Sequence, residues 1–207
     1  MENIITAVLF DFGGVIAEEG FRDGLLQIGR QNGLDPTAFF LAVERIIADC
    51  GYLTGAAGEA VFWEQVRRES GIRETDRELR EQILRRFVLR PAMLDLADRV
   101  RRNGAIAAML SDQTNWLEEI DSATGLFRHF DSVFNSYRIR KSKRDASVFD
   151  DVCSALGVTP ASTLFIDDNA GHIGRAHTRG LRTILFTTVE DLTRSLQDIR
   201  LLLSTPA

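Results

Sequence analysis

Three apolar runs in this chain of 207 residues end in groups that can do chemistry. Ile4 to Phe10, apolar except for Thr6, runs into Asp11-Phe12-Gly13-Gly14-Val15. Ala105 to Leu110 runs into Ser111-Asp112, and Thr163 to Ile166 runs into Asp167-Asp168. A carboxylate at the end of a buried strand is held as a nucleophile must be, and glycines directly after it let backbone N–H groups approach an anion without a Cβ in the way. Two adjacent carboxylates repel one another unless a cation offsets them. With Asp11 they offer an all-oxygen site of the kind that suits Mg²⁺. Each stretch also has a plainer reading: a turn aspartate, a helix-capping serine, and an acidic cap ahead of Ala170. What separates the readings is convergence, because ligands of open parallel sheets bind at the carboxyl ends of the strands.

The elements that must position these groups follow from the pattern of apolar residues. From about Ala17 to Leu89 the chain has helical character, with Leu25, Leu26 and Ile28, then Phe39, Phe40, Val43, Ile46 and Ile47, then Val61, Phe62 and Val66, then Leu79, Ile83, Leu84, Phe87 and Val88 at spacings of three and four. This predicts about four amphipathic helices in a small bundle. Phe62 and Trp63 read as helix packing, and Tyr52, between Gly51 and Gly55, as a candidate to face a pocket. From Pro91 onward helices and strands alternate, as in a parallel sheet covered by helices. The pattern predicts a helix through Met93 to Val100 stopped by Gly104, a strand to Leu110, a helix capped by Asn115 with Glu118, and a strand over Ser132–Asn135. A helix over Asp145–Leu156, a strand over Thr163–Ile166, a strand over Arg182–Phe186 and a closing helix over Leu192–Leu203 complete it, the last burying Leu196, Ile199, Leu202 and Leu203.

Bulk composition limits the function classes. Hydrophobic residues make up 44% and charged residues 27%, and no apolar run has the length of a membrane span. No membrane partner is expected. The start, Met1-Glu2-Asn3-Ile4, does not read as a secretion signal, so the expected location is cytoplasmic. Cys50 and Cys153 stand in unrelated contexts and read as reduced residues. A net charge of −5 argues against a nucleic-acid partner.

The motifs, taken together, resemble the haloacid dehalogenase-like hydrolase superfamily, in its branch with a helical cap inserted after the first strand. Four stretches carry the resemblance: Phe10-Asp11-Phe12-Gly13-Gly14-Val15; Leu110-Ser111-Asp112; Ser136-Tyr137 through Lys143 to Asp145 and Phe149; and Phe165-Ile166-Asp167-Asp168-Asn169. Tyr52-Leu53-Thr54-Gly55, Phe62-Trp63 and Arg90-Pro91 also look like this family. The resemblance implies an α/β fold, with a Rossmann-like parallel-sheet core with helices on both faces (1–16 plus 90–207) and a helical cap (17–89). It implies Asp11 as the nucleophile that takes up a phosphoryl group, Ser111 as a ligand of a phosphoryl oxygen, and Lys143 as the charge that offsets both. Mg²⁺ would be held by Asp11, the carbonyl of Gly13 and Asp168, with Asp167 as a further ligand or a partner behind them. Phe12, Gly13, Ser111, Asp112 and Lys143 would meet a small phosphorylated metabolite. Oligomeric state stays open.

Two departures qualify the resemblance. Proline normally follows the family's lysine, whereas Arg144 stands here, so Lys141 remains an alternative to Lys143. Phosphatases of the family usually carry a second aspartate two residues after the nucleophile, which protonates the leaving oxygen and then activates water; here that position is Gly13. Either turnover is low, or the substrate has a good leaving group, or another group substitutes, the candidates being Glu18, Glu19 and a substrate hydroxyl. His172 and His177 read as surface or capping residues. Family members that cleave carbon–halogen bonds also lack the second aspartate, but they typically carry an aromatic residue there and need no metal, so the Asp167-Asp168 pair points away from that reaction. The leading reading is a Mg²⁺-dependent phosphatase. The alternatives are a binding or regulatory protein that has lost turnover, and a metal-independent dehalogenase.

Overall fold

The computed structural model describes residues 4–198. Chain order is β1 (Ala7–Phe10), α1 (Gly20–Gln31), α2 (Pro36–Asp49), α3 (Glu59–Ser70), α4 (Asp76–Leu84), α5 (Pro91–Arg102), β2 (Ile106–Ser111), α6 (Trp116–Thr124), β3 (Ser132–Asn135), α7 (Ser136–Ile139), α8 (Ser147–Leu156), β4 (Thr163–Asp167), α9 (Ala170–Thr178), β5 (Arg182–Leu185) and α10 (Val189–Asp198). The strands form one parallel sheet in the order β3-β2-β1-β4-β5. β1 is therefore central, and the strand order reverses beside it, which is where ligands of such sheets bind.

Alternation along the strands builds two apolar layers, because successive side chains point to opposite faces. Val8 and Phe10, Ala107 and Met109, and Leu164 and Ile166 share a cluster with Met93 and Val100 of α5, Trp116 of α6 and Leu192 and Leu196 of α10. Leu9, Ala108, Leu110 and Phe165 pack instead on Val148, Phe149 and Val152 of α8 and Ala176 of α9. The result is a Rossmann-like α/β sandwich with helices on both faces.

The four helices expected after β1 are α1 to α4, and their apolar faces do not close on themselves. Leu25, Val43, Phe62, Trp63, Leu79 and Ile83 belong to the same cluster as the first sheet face. Trp63 stacks on Trp116 with ring centroids 6.0 Å apart. The entering and leaving strands of this insertion pair with each other: Ala17 bridges Leu89, the Glu18 N–H donates to the Val88 carbonyl at 2.9 Å, and the Arg90 N–H to that of Ile16 at 2.9 Å.

Several expectations are corrected. Ile4 is exposed and β1 begins only at Ala7. Tyr52 does not face a pocket: it is fully buried and its hydroxyl donates to Asn115 Oδ1 at 2.7 Å, tying the α2–α3 loop to the sheet domain. Asn115 thus gives its side-chain oxygen to Tyr52 rather than to a cap of α6, and Thr114 Oγ1 accepts the Trp116 N–H at 3.2 Å instead. α8 begins at Ser147, two residues later than expected, with Asp145 accepting the Ser147 N–H at 2.9 Å. The short helix α7, only four residues long, has no counterpart in the apolar pattern. In the closing helix Leu196 is buried as expected, while Ile199, Leu202 and Leu203 lie outside the described residues. Among the described residues no helix is long and apolar enough to cross a membrane.

Candidate active site

Asp11 leaves the sheet at the tip of β1, its backbone N–H still donating to the Ile166 carbonyl of β4 at 2.9 Å. Its side chain folds back so that the Phe12 N–H donates to Oδ1 at 2.7 Å. β2 delivers Ser111 and β4 delivers Asp167, because the register pairs Phe10 with Met109 on one side and Ile166 on the other. Three strand ends meet here, and oxygens of Asp11, Asp167 and Asp168 lie within 4.8 Å of one another.

Lys143 joins them. Its ammonium, fully buried, sits 2.7 Å from Asp11 Oδ1 and 2.7 Å from Asp167 Oδ2. Burial disfavours a charged lysine, but Asp11, Asp167 and Asp112 outweigh it and hold the Lys143 pKa above the ordinary lysine value. Lys141 is elsewhere, paired with Asp151 and donating to Ser147 Oγ at 2.9 Å. Between the two lysines the structure brings Lys143, and not Lys141, to the acidic cluster. Its loop is held by Asp112, whose two carboxylate oxygens accept the Lys143 N–H at 2.8 and 3.1 Å.

One lysine does not balance three carboxylates. Burial, then the charge of Asp167, raises the Asp11 pKa well above its ordinary value of 3.8 despite Lys143. Asp168, the more exposed of the two, is also raised, by its partial burial and by Asp167. Asp167 goes the other way: burial opposes ionisation, but Lys143 and a hydrogen bond with His172 hold its carboxyl well below the usual range. It also accepts the Asn169 N–H at 2.7 Å. Asn169 supplies the cap of α9, accepting from Gly171 at 2.8 Å and His172 at 3.2 Å, so neither aspartate is used for capping. Asp168 lies against Gly14, where φ is +80° and a Cβ would come within 2.1 Å of Asp168 Oδ2.

These residues line a cleft of about 860 Å³ between the sheet edge and the insertion, with Glu19, Phe21, Arg22, Phe40, Glu44, Leu53 and Phe87 on the insertion side. Ser111, Asp112 and Gly13 line it as expected; the ring of Phe12 does not, being packed in the core 5.2 Å from Phe87, so only its backbone is available to a ligand. Of the two glutamates offered as substitutes at the start of the insertion, Glu18 pairs with Arg90 at 2.9 Å, whereas Glu19 lines the cleft. Burial, with Asp168 adding to it, raises the Glu19 carboxyl above its ordinary value against the opposing N–H of Arg22.

His172 is the site residue that its expected surface role conceals. Its Nδ1 lies 3.0 Å from Asp167 Oδ2, and it lines the cleft together with Arg175, whose Nε donates to the Lys143 carbonyl at 2.7 Å. The signal was its position in the first turn after Asn169, which turns its ring toward the strand end. His177 is absent from the cleft wall.

Against known families, residues 5–174 match the haloacid dehalogenase-like hydrolase family. Among solved structures, the chain is similar to the HAD family enzyme BT-2542 of Bacteroides thetaiotaomicron, with a TM-score of 0.77 and 21% identity over 93% of this chain and 98% of that one. The same enzyme in complex with magnesium and inorganic phosphate matches with a TM-score of 0.69 and 21% identity over 88% of this chain and 94% of that one. L-2-haloacid dehalogenase of Xanthobacter autotrophicus, with chloropropionic acid covalently bound, matches with a TM-score of 0.66 and 20% identity over 94% of this chain and 83% of that one.

Proposed function

The chain belongs to the haloacid dehalogenase-like hydrolase family, and on that premise we propose that it hydrolyses a small phosphate monoester with Mg²⁺ as cofactor. The observation that carries this is the charge imbalance at the strand ends: three carboxylates in mutual reach and one ammonium among them. Such a set fits a hard divalent cation, because its donors are all oxygen and the charge of Asp167 opposes ionisation of Asp11 and Asp168, which a cation among them would offset. Asp11, Asp168 and the Gly13 carbonyl would hold the ion, with Asp167 beside them. Bound there, Mg²⁺ supplies positive charge to the transferring phosphoryl oxygens. A dehalogenase reading has no use for that set, although a dehalogenase is among the similar structures. The similar enzyme solved with magnesium and phosphate supports the phosphate reading.

The residues divide the work. Asp11 Oδ attacks phosphorus and the ester P–O bond breaks, leaving an aspartyl-phosphate; water then attacks phosphorus, and Asp11 leaves as the carboxylate. Lys143 neutralises Asp11 and the phosphoryl oxygens from a dry position, where a charge is worth most. Ser111 donates its hydroxyl to a phosphoryl oxygen. A cleft of about 860 Å³ suits a small phosphorylated metabolite, being within the roughly 300–1,000 Å³ of small-molecule pockets. Neither a nucleic acid nor a membrane is needed as a partner.

Phosphate release from a panel of sugar, nucleotide, amino-acid and aryl phosphates tests this. Release that needs Mg²⁺ and is lost in Asp11→Asn is expected. Halide release from 2-haloacids without metal would overturn it in favour of dehalogenation. Stabilisation by Mg²⁺ and phosphate with no product from any ester would overturn it in favour of a binding protein.

A further inference from the structure

Ester hydrolysis needs a proton for the departing alkoxide and an acceptor for the proton of the attacking water, and most acidic groups of the cleft are already committed. Asp11 is the nucleophile, Asp168 stands with it in the set that would hold the cation, Asp167 is bound by Lys143, His172 and the Asn169 N–H, and both oxygens of Asp112 hold the Lys143 backbone. Glu44 pairs with Arg144 at 3.3 Å. Glu19 remains. Among the described residues no cation lies at ion-pair distance from it, and its carboxylate accepts the Arg22 N–H at 3.4 Å.

Its placement is specific. A Cβ built on Gly13 would lie 3.3 Å from Glu19 Oε2 and 3.8 Å from its carboxyl carbon, so the carboxylate of an aspartate at position 13 and that of Glu19 would compete for one space. Gly13 does not need a left-handed backbone, so its lack of a side chain is not forced by φ. Glycine here leaves room for a carboxylate brought from six residues away. The chain delivers it rigidly: the Ala17 N–H donates to the Phe12 carbonyl at 2.9 Å, the Glu18 N–H is held by Val88, and Glu19 is the N-cap of α1. Phe87 packs against both Gly13 and Gly20 and walls the carboxyl on its apolar side.

Resting on the phosphatase reading, we propose that Glu19 is the general acid and base of this enzyme, a substitute in space for the side chain missing at Gly13. In the first step the Glu19 carboxylic acid gives its proton to the ester oxygen as the P–O bond to that oxygen breaks and Asp11 becomes phosphorylated. In the second, the Glu19 carboxylate takes a proton from water as the water oxygen bonds to phosphorus and the P–O bond to Asp11 breaks. Glu19 ends protonated, and the sum is ester plus water to alcohol plus phosphate.

The test compares wild type, Glu19→Gln, Glu19→Ala, Glu18→Gln and the double variant that combines Gly13→Asp with Glu19→Ala, all with Mg²⁺, on an alkyl phosphate and an aryl phosphate with a good leaving group. Loss of a positioned acid/base predicts that Glu19→Gln loses about 10²–10⁴-fold in kcat on the alkyl ester with KM changed by less than about threefold. On the aryl ester its first step survives and phosphorylated Asp11 accumulates in a rapid quench. Glu18→Gln keeps wild-type kcat, and the double variant regains most of the activity that Glu19→Ala alone loses. Wild-type kcat in Glu19→Gln on the alkyl ester, or a folded double variant no better than Glu19→Ala, overturns the proposal while leaving the phosphatase reading intact. A wild type that releases phosphate from neither ester overturns both.

Discussion

Both carboxylate oxygens of Asp112 accept the backbone N–H of Lys143, at 2.8 and 3.1 Å. The end of β2 therefore grips the loop that carries the lysine, and the Lys143 ammonium owes its position between Asp11 and Asp167 to a residue that bonds the loop rather than either carboxylate. Hydrogen bonds to a charged group are worth about 1.5–3 kcal/mol. Asp112→Ala should accordingly lower kcat by about one to two orders of magnitude, while Asp112→Asn, which keeps one acceptor, recovers part of it. Steady-state rates on an aryl phosphate with Mg²⁺ measure this, and unchanged kcat in Asp112→Ala would show that the loop holds without it.

The two candidate lysines, Lys141 and Lys143, separate cleanly by environment. Lys143 is 1% exposed between two carboxylates, and Lys141 pairs with Asp151 at the surface. Removing one partner of a buried ionic set leaves uncompensated charge and costs about 3–5 kcal/mol, whereas an exposed pair contributes about 0–1 kcal/mol. Lys143→Met should abolish phosphate release and lower Tm markedly in metal-free buffer. Lys141→Met should change neither by much. A thermal melt and a phosphate assay on both variants decide it.

Asp11 gives the stability of the metal-free protein a definite pH dependence. Burial and Asp167 raise its pKa above 3.8 in the folded state. The folded chain then holds a proton that the unfolded chain has released, so this group's contribution to stability falls as pH rises from near 3.8 through the raised value, and stays low above it. Asp11→Asn removes the penalty. In EDTA the variant should melt above wild type at neutral pH, by about 2–4 °C for each kcal/mol at this chain length, and the gap should close toward pH 4. Mg²⁺ should reverse the order by stabilising wild type more. A gap that widens on acidification would refute the assignment.

What could be read from the chain beforehand was whatever local pattern determines. β1, β2 and β4 were visible because strands buried on both faces are continuous apolar runs, and the polar residue ending each run marks the sheet's carboxyl edge. The helices of the insertion showed in their three-and-four spacing. Long-range partners were hidden. Asn115 has the residue type of a cap, yet a tyrosine 63 positions away claims its oxygen. His172 looked like one more helix-surface residue until its ring met Asp167. Glu18 and Glu19 are adjacent and chemically alike, and only Arg90 on the returning strand tells them apart by drawing Glu18 away from the cleft.

Gly14 tests the metal set without touching a charged residue. Its φ of +80° is left-handed backbone, and an added Cβ would stand 2.1 Å from Asp168 Oδ2 and 2.5 Å from Asp168 Cγ. Gly14→Ala must therefore do two things: strain the turn, at about 1–2 kcal/mol for an L-residue in this region, and push the Asp168 carboxylate off its place. Gly33 supplies the control, since φ there is +67° and nothing lies within 4 Å of an added Cβ. Gly33→Ala carries the strain alone. Both variants should lose similar stability in EDTA, but only Gly14→Ala should also lose the thermal stabilisation that Mg²⁺ gives wild type. If Gly14→Ala binds Mg²⁺ with wild-type affinity by calorimetry, Asp168 is not holding the ion and the proposed ligand set is wrong.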